Sequence, residues 1–164
     1  MTRLPTIIVL GILLSFQTQA ADPITREHIQ QVIDITDAAA RNRDAAGIGE
    51  YLSTGFERII EFPHDKWMAK VRIGKDKYLE LIAEGWPTIE EYDYRRDATV
   101  IHVMPDGITG QSYSTITETL SLDGTRRVSI FREHALYTME NGSPVITQIS
   151  GHTLLGDTMP VWGE

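Results

Sequence analysis

Residues 106–152 read DGITGQSYSTITETLSLDGTRRVSIFREHALYTMENGSPVITQISGH. Three turn signals cut this stretch. Asp106-Gly107 follows Pro105, and Asp123-Gly124 and Asn141-Gly142 are pairs favoured in tight hairpins. Between the turns the residues alternate, with Ser114, Ile116, Leu120 and Leu122 set against Thr115, Thr117, Thr119 and Ser121. Alternation at period two marks a strand with one covered face. The stretch therefore predicts an antiparallel meander, with strands at about 90–104, 108–122, 125–139 and 144–155.

Upstream the pattern changes. FERIIEF (56–62) is strand-like, and Trp67, Ala69, Val71 and Ile73 alternate with Lys66, Met68, Lys70 and Arg72, joined through Pro63-His64-Asp65. Asp22-Pro23 reads as a helix start, and Ile29, Val32, Ile33, Thr36 and Ala40 recur at helical spacing. A second helix is expected from Ala45 to Leu52, stopped by Gly55. A third runs from Lys75 to Glu84, with Tyr78, Leu81 and Ile82 inward, ended by Gly85 and Pro87. The order ααββαββββ predicts an α+β fold, with three helices packed on the concave face of a strongly curved antiparallel sheet.

Residues 1–20, MTRLPTIIVLGILLSFQTQA, stand apart. Arg3, the apolar run Ile7 to Phe16 and the small residues around Ala20 form the three-part pattern of a secretory signal cleaved after position 20. The run falls short of the about 20 apolar residues that span a bilayer. Export to the periplasm or medium is the expectation, with 21–164 as a single domain and no membrane attachment after cleavage. There is no cysteine, so the exported chain relies on packing without disulfides. The whole chain holds 15 basic and 23 acidic residues; without Arg3 the balance is near −9. Such a balance excludes nucleic acid and anionic lipid as partners, since both demand clustered Lys and Arg.

The element order, the long first helix and the stretch 106–152 resemble the nuclear transport factor 2-like (SnoaL-like) superfamily, across nearly all of 22–155. The resemblance implies a cone whose concave sheet face and helices enclose a ligand cavity. Its members include isomerases, dehydratases, epoxide hydrolases and non-catalytic binding or dimerisation modules. It also implies a homodimer through the convex sheet face. No subfamily motif matches residue by residue, so no catalytic residue carries over.

Turn type sets strand register. Three-residue loops at the first two hairpins and a two-residue Asn141-Gly142 loop place Ser112 beside His134, and Ser114 beside Arg132. His102 and Gly151 then lie nearby on the same inner face. Glycines and serines among polar groups leave room for a ligand, or simply let the sheet bend. On the ligand reading, His102, Ser112, Ser114, Arg132 and His134 bind a small molecule. Arg132 holds a carboxylate or oxyanion and His134 moves a proton. Those two are the catalytic candidates for an isomerase, lyase or hydrolase acting on a small carbonyl or carboxylate compound. The primary expectation is an exported small-molecule-binding domain, with that enzyme and a non-catalytic dimerisation or interaction module as alternatives.

No cofactor fingerprint is present, and no HxH, HExxH or carboxylate spacing suggests a metal. Glu133 and His134 are strand neighbours facing opposite ways, hence no dyad. Glu118 interrupts the apolar row of its strand. It reads either as an edge carboxylate paired diagonally with Arg126 or as a buried acid.

Overall fold

The computed structural model of the protein describes residues 23–64 and 67–155. Residues 1–20, read above as a secretory signal, and the ending 156–164 lie outside the described residues. The elements are α1 (Arg26–Arg41), α2 (Ala45–Gly49), β1 (Leu52–His64), β2 (Trp67–Gly74), α3 (Lys75–Gly85), a 3-10 turn (Trp86–Thr88), β3 (Glu91–Val103), β4 (Thr109–Leu122), β5 (Thr125–Glu140) and β6 (Ser143–Leu155). This is the expected α+β order with one short turn added. Among the described residues, no helix is long and apolar enough to cross a membrane.

The first helix begins later than Asp22-Pro23 suggests. Thr25 is its cap: the hydroxyl accepts from the His28 amide at 3.2 Å, and His28 Nδ1 accepts from the Thr25 amide at 3.3 Å. Two orphan donors are satisfied reciprocally, a stronger stop than a lone acidic side chain before proline. Helix α1 then lays Ile29, Val32, Ile33 and Ala40 into the core against Ile116, Phe56 and Ile149. Each fully covered isoleucine or phenylalanine contributes about 1.5–3 kcal/mol.

All six strands form one sheet in the order β2-β1-β6-β5-β4-β3. It is antiparallel except at one seam, where β1 runs parallel to β6, with Ile59 opposite Ser150 and Ile60 opposite Gly151. That seam corrects the expectation of a fully antiparallel sheet. Alternation within a strand reports its covered face and carries nothing about the direction of its neighbour.

The hairpins decide which side chains face inward. At β3–β4 the loop holds one residue more than expected, closing with the Met104 amide on the Thr109 carbonyl. The Asp106 carboxylate causes this. It accepts from the Ile108 and Thr109 amides and the Thr109 hydroxyl at 2.8–3.0 Å, so Ile108 stays in the loop. Residues 100–103 are slipped by one. An irregularity between Asp97 and Val100, where Ala98 takes φ +51, restores the expected pairing of Arg96 with Ile116.

At β4–β5 no irregularity intervenes. Asp123 and Gly124 both take positive φ, +50 and +68, giving a two-residue loop with Leu122 opposite Thr125. The three-residue loop expected there is replaced, and the whole of β5 turns over. Phe131, Glu133, Ala135 and Tyr137 point into the cone, while Arg132 and His134 point away. At β5–β6 the Asn141-Gly142 loop is as expected, with Glu140 opposite Ser143. A bulge at Thr147 then sets Ala135 against Ile149 and His134 against Ser150.

Candidate functional site

Inside the cone, α1, α3 and four strands contribute polar side chains to one cluster. Arg96 of β3 is its centre. Its Nε donates to both Asp37 oxygens at 3.0 Å, its Nη1 to Glu133 Oε1 at 2.8 Å, and its Nη2 to the Tyr94 hydroxyl at 2.9 Å. The Tyr94 hydroxyl in turn donates to Asp37 Oδ1 at 3.0 Å. Arg58 of β1 reaches Glu133 Oε2 at 3.4 Å and lies over the Phe131 ring at 5.9 Å. Burial pushes the Glu133 carboxyl up, but the charges and hydrogen bonds of Arg96 and Arg58 outweigh it and hold the group below the usual carboxylate range.

Glu118 of β4 sits beyond this ion-pair chain. Its Oε1 accepts from the Tyr92 hydroxyl at 2.8 Å. Burial raises its affinity for a proton, only partly opposed by Tyr92 and Arg58. The edge pairing with Arg126 is not formed; Glu118 faces inward, as its place in the apolar row allows.

Two cavities of about 100 and 90 Å³ lie here, and Arg58, Tyr78, Glu118 and Phe131 wall both. The first extends toward Asp37, Arg96 and Trp86, the second toward Ile60, Ile73 and Gly151. Charged groups, phenols and aromatic carbon converge there, the usual make-up of a small-molecule site. No group of histidine and acidic side chains among the described residues could hold a metal.

The residues singled out from sequence divide between the two faces. Ser112 and Ser114 do point inward, but their hydroxyls meet Tyr137 at 3.0 Å and Thr99 at 3.1 Å. Arg132, His134 and His102 do not join them. His134 stacks on Tyr113 at 4.4 Å with an interplanar angle of 2°, and its Nε2 meets Gln111 Oε1 at 3.1 Å. Partial burial lowers its pKa. His102 stands edge-on to the same tyrosine at 6.3 Å. Arg132 and His134 line a groove of about 350 Å³ on the outer face, with His152 and Glu61. The single-residue slip at Asp123-Gly124 explains the displacement of Arg132 and His134, and the slip at the Asp106 loop that of His102. The volume expected beside Gly110 and Gly151 is also taken: a Cβ at Gly110 would collide with Ile29 Cδ1, and one at Gly151 would lie 3.1 Å from Arg58 Nη2.

Asp37, Arg58, Arg96 and Glu133 were not singled out as site residues from the sequence, although its register sets Arg96 beside Ile116 on the inner face, and three of them carry a signal. Asp37 falls four residues after Ile33 on the apolar stripe of α1. Arg58 alternates with Phe56 and Ile60, and Arg96 lies two residues from buried Tyr94.

No family model matches the chain, and no curated protein matches it in sequence. Its structure is similar to solved ones. A hexachlorocyclohexane dehydrochlorinase, LinA type 2, superposes with TM-score 0.65 at 12% identity, covering 80% of this chain and 86% of that one. LinA type 3 from Novosphingobium barchaimii gives 0.64 at 11%, covering 80% and 88%. An NTF2-like protein from Cytophaga hutchinsonii gives 0.63 at 14%, covering 80% and 99%. With the curled six-stranded sheet and the three helices closing its inner face, these likenesses show that the chain has the nuclear transport factor 2-like fold.

Proposed function

We propose that this is an exported small-molecule-binding domain whose ligand occupies the inner cavities. The observation that carries the reading is that the same four side chains, Arg58, Tyr78, Glu118 and Phe131, wall both cavities. They offer a cation, a phenol, a carboxyl group and an aromatic face on the wall that the two cavities share. The signal pattern of residues 1–20 supports export, and amino-terminal sequencing of the secreted product, expected to begin at Ala21, checks it. The outer face carries exposed Val100, Tyr113 and Val128, which supports the homodimer expected from the resemblance.

A thermal-shift screen of small carboxylates, carbonyl compounds and phenols tests the reading. A ligand at a hundred times its Kd stabilises by about 2.7 kcal/mol. Ala135, buried beside the first cavity, provides the control. The shift should shrink in Ala135→Leu, which fills that space. Shifts of equal size in this variant would locate binding elsewhere, and silence across every class would end the reading.

A second reading, proton-transfer catalysis on a small carbonyl or carboxylate compound, is favoured by Glu118, whose carboxyl retains its proton more strongly than usual. In this form Glu118 and Arg58 take the parts that the sequence suggested for His134 and Arg132. Exchange of substrate α-protons in D2O, lost in Glu118→Gln, would distinguish an enzyme from a binder.

A further inference from the structure

Resting on the reading of the inner cavities as a ligand site, we propose that the ligand is a small monocarboxylate, and that it enters together with one proton carried by Glu118.

The argument begins with which polar atoms are already engaged. All three Arg96 nitrogens have partners in Asp37, Glu133 and Tyr94. Arg58 is different. Only its Nη1 has a carboxylate, at the long distance of 3.4 Å. Its Nε and Nη2 have no hydrogen-bond partner among the described residues, and Nη2 packs 3.1 Å from where a Cβ on Gly151 would lie, in the wall of the second cavity. Glu118 likewise uses Oε1 for Tyr92 and leaves Oε2 open. Among the described residues no buried side-chain nitrogen or oxygen lacks a partner. The open edges of Arg58 and Glu118 are therefore exposed to the cavities they line. These two opposite charges share a cavity wall without coming within ion-pair distance among the described residues. A carboxylate fits between them: two oxygens on the open guanidinium edge, and one of these accepting from a Glu118 hydroxyl.

Charge requires the proton. Arg58 and Arg96 balance Asp37 and Glu133, so the cluster is neutral before Glu118 is counted. An ionised Glu118 facing a bound carboxylate would put two like charges side by side in a low-dielectric space. A protonated Glu118 donates a hydrogen bond instead. Tyr92 donates to Oε1, which leaves Oε2 as the atom that carries the proton toward the ligand. The ionisable groups around Glu118 are Arg58 on β1, Tyr78 on α3, Tyr92, Tyr94 and Arg96 on β3, and Glu133 and Tyr137 on β5, with Asp37 on α1 behind Arg96. Neither lining includes a histidine or lysine, and the tyrosines are held protonated by burial. Glu118 is the group left to take up the proton.

The test is calorimetric titration of the mature protein with acetate, propionate, butyrate and benzoate, and with the matching amides, from pH 5 to 8 in buffers of different ionisation enthalpy. Above the Glu118 pKa of the free protein, carboxylates should bind with uptake approaching one proton and with affinity falling about tenfold per pH unit, whereas below it uptake should vanish and affinity level off. Glu118→Gln keeps a donor and the shape of the site, so it should bind carboxylates with that pH dependence flattened. Carboxylate binding without proton uptake, or amides binding as tightly, would overturn the proposal and leave the ligand-site reading intact. No binding by any probe class, with wild-type and Glu118→Gln both folded by circular dichroism, would overturn both.

Discussion

Arg96 joins helix to sheet: its Nε meets both Asp37 oxygens at 3.0 Å on α1, while its Nη1 meets Glu133 Oε1 at 2.8 Å on β5. All three side chains are about nine-tenths covered. Removing the shared cation strands two carboxylates in the interior, so Arg96→Met should lose about 3–5 kcal/mol in urea unfolding. Replacing Arg96, Asp37 and Glu133 together by apolar residues of similar volume should recover much of that loss. A loss below about 1 kcal/mol for the single variant would mean that water already solvates the cluster.

The two inward-facing glutamates, Glu133 buried and Glu118 half-buried, predict opposite pH dependences. Glu133 is held below its ordinary range, chiefly because Arg96 and Arg58 outweigh burial. Its contribution to stability is complete above the unfolded-state value, about 4.3, and is lost as pH falls through the lower folded value. Glu118 is raised by burial. Its protonated form is the one the fold favours, so stability declines as pH rises from the unfolded value through the higher folded one. Denaturant melts between pH 3 and 8 should show both limbs. Glu118→Gln should remove the decline on the alkaline side, and leave the acid limb in place.

The fold was legible because its signals are local. Helical spacing at Ile29, Val32 and Ile33, alternation at Trp67 to Ile73, and three Gly-containing turns each declare an element within a few residues. The site was less so, because facing is set at the turns and propagates. Asp123-Gly124 admits either two or three loop residues, and the choice inverts every side chain from Val128 to Tyr137. Asp106 enlarges its own loop through three hydrogen bonds that no alternation pattern announces. Glu118 was visible as an anomaly in an apolar row, but its partner Tyr92 lies 26 residues away on another strand.

Facing also yields a prediction that separates neighbours in sequence. Arg132 and His134 look outward and Glu133 inward. Arg132→Ala and His134→Ala should each shift stability by no more than about 0.5 kcal/mol and leave carboxylate affinity unchanged. Glu133→Ala should cost about 3–5 kcal/mol, since two guanidinium groups lose their shared partner. If the outward pair proved costly and Glu133 silent, β5 would have to be turned over, and the cavity assignment would go with it.

Gly110 and Ile29 offer a test of how α1 seats on the sheet. A Cβ on Gly110 would occupy the place of Ile29 Cδ1 and lie 3.3 Å from the His102 carbonyl oxygen. Gly110→Ala should therefore cost about 1–3 kcal/mol by overpacking, although the backbone there is ordinary strand. Ile29→Val removes the colliding methyl and alone should cost about 0.5–1.5 kcal/mol. Together the two changes should be less harmful than their sum, with a coupling of about 0.5–2 kcal/mol in a double-mutant cycle by chemical denaturation. Strict additivity would mean that α1 does not press Ile29 against β4. The glycine would then serve the bending of the sheet, not the seating of the helix.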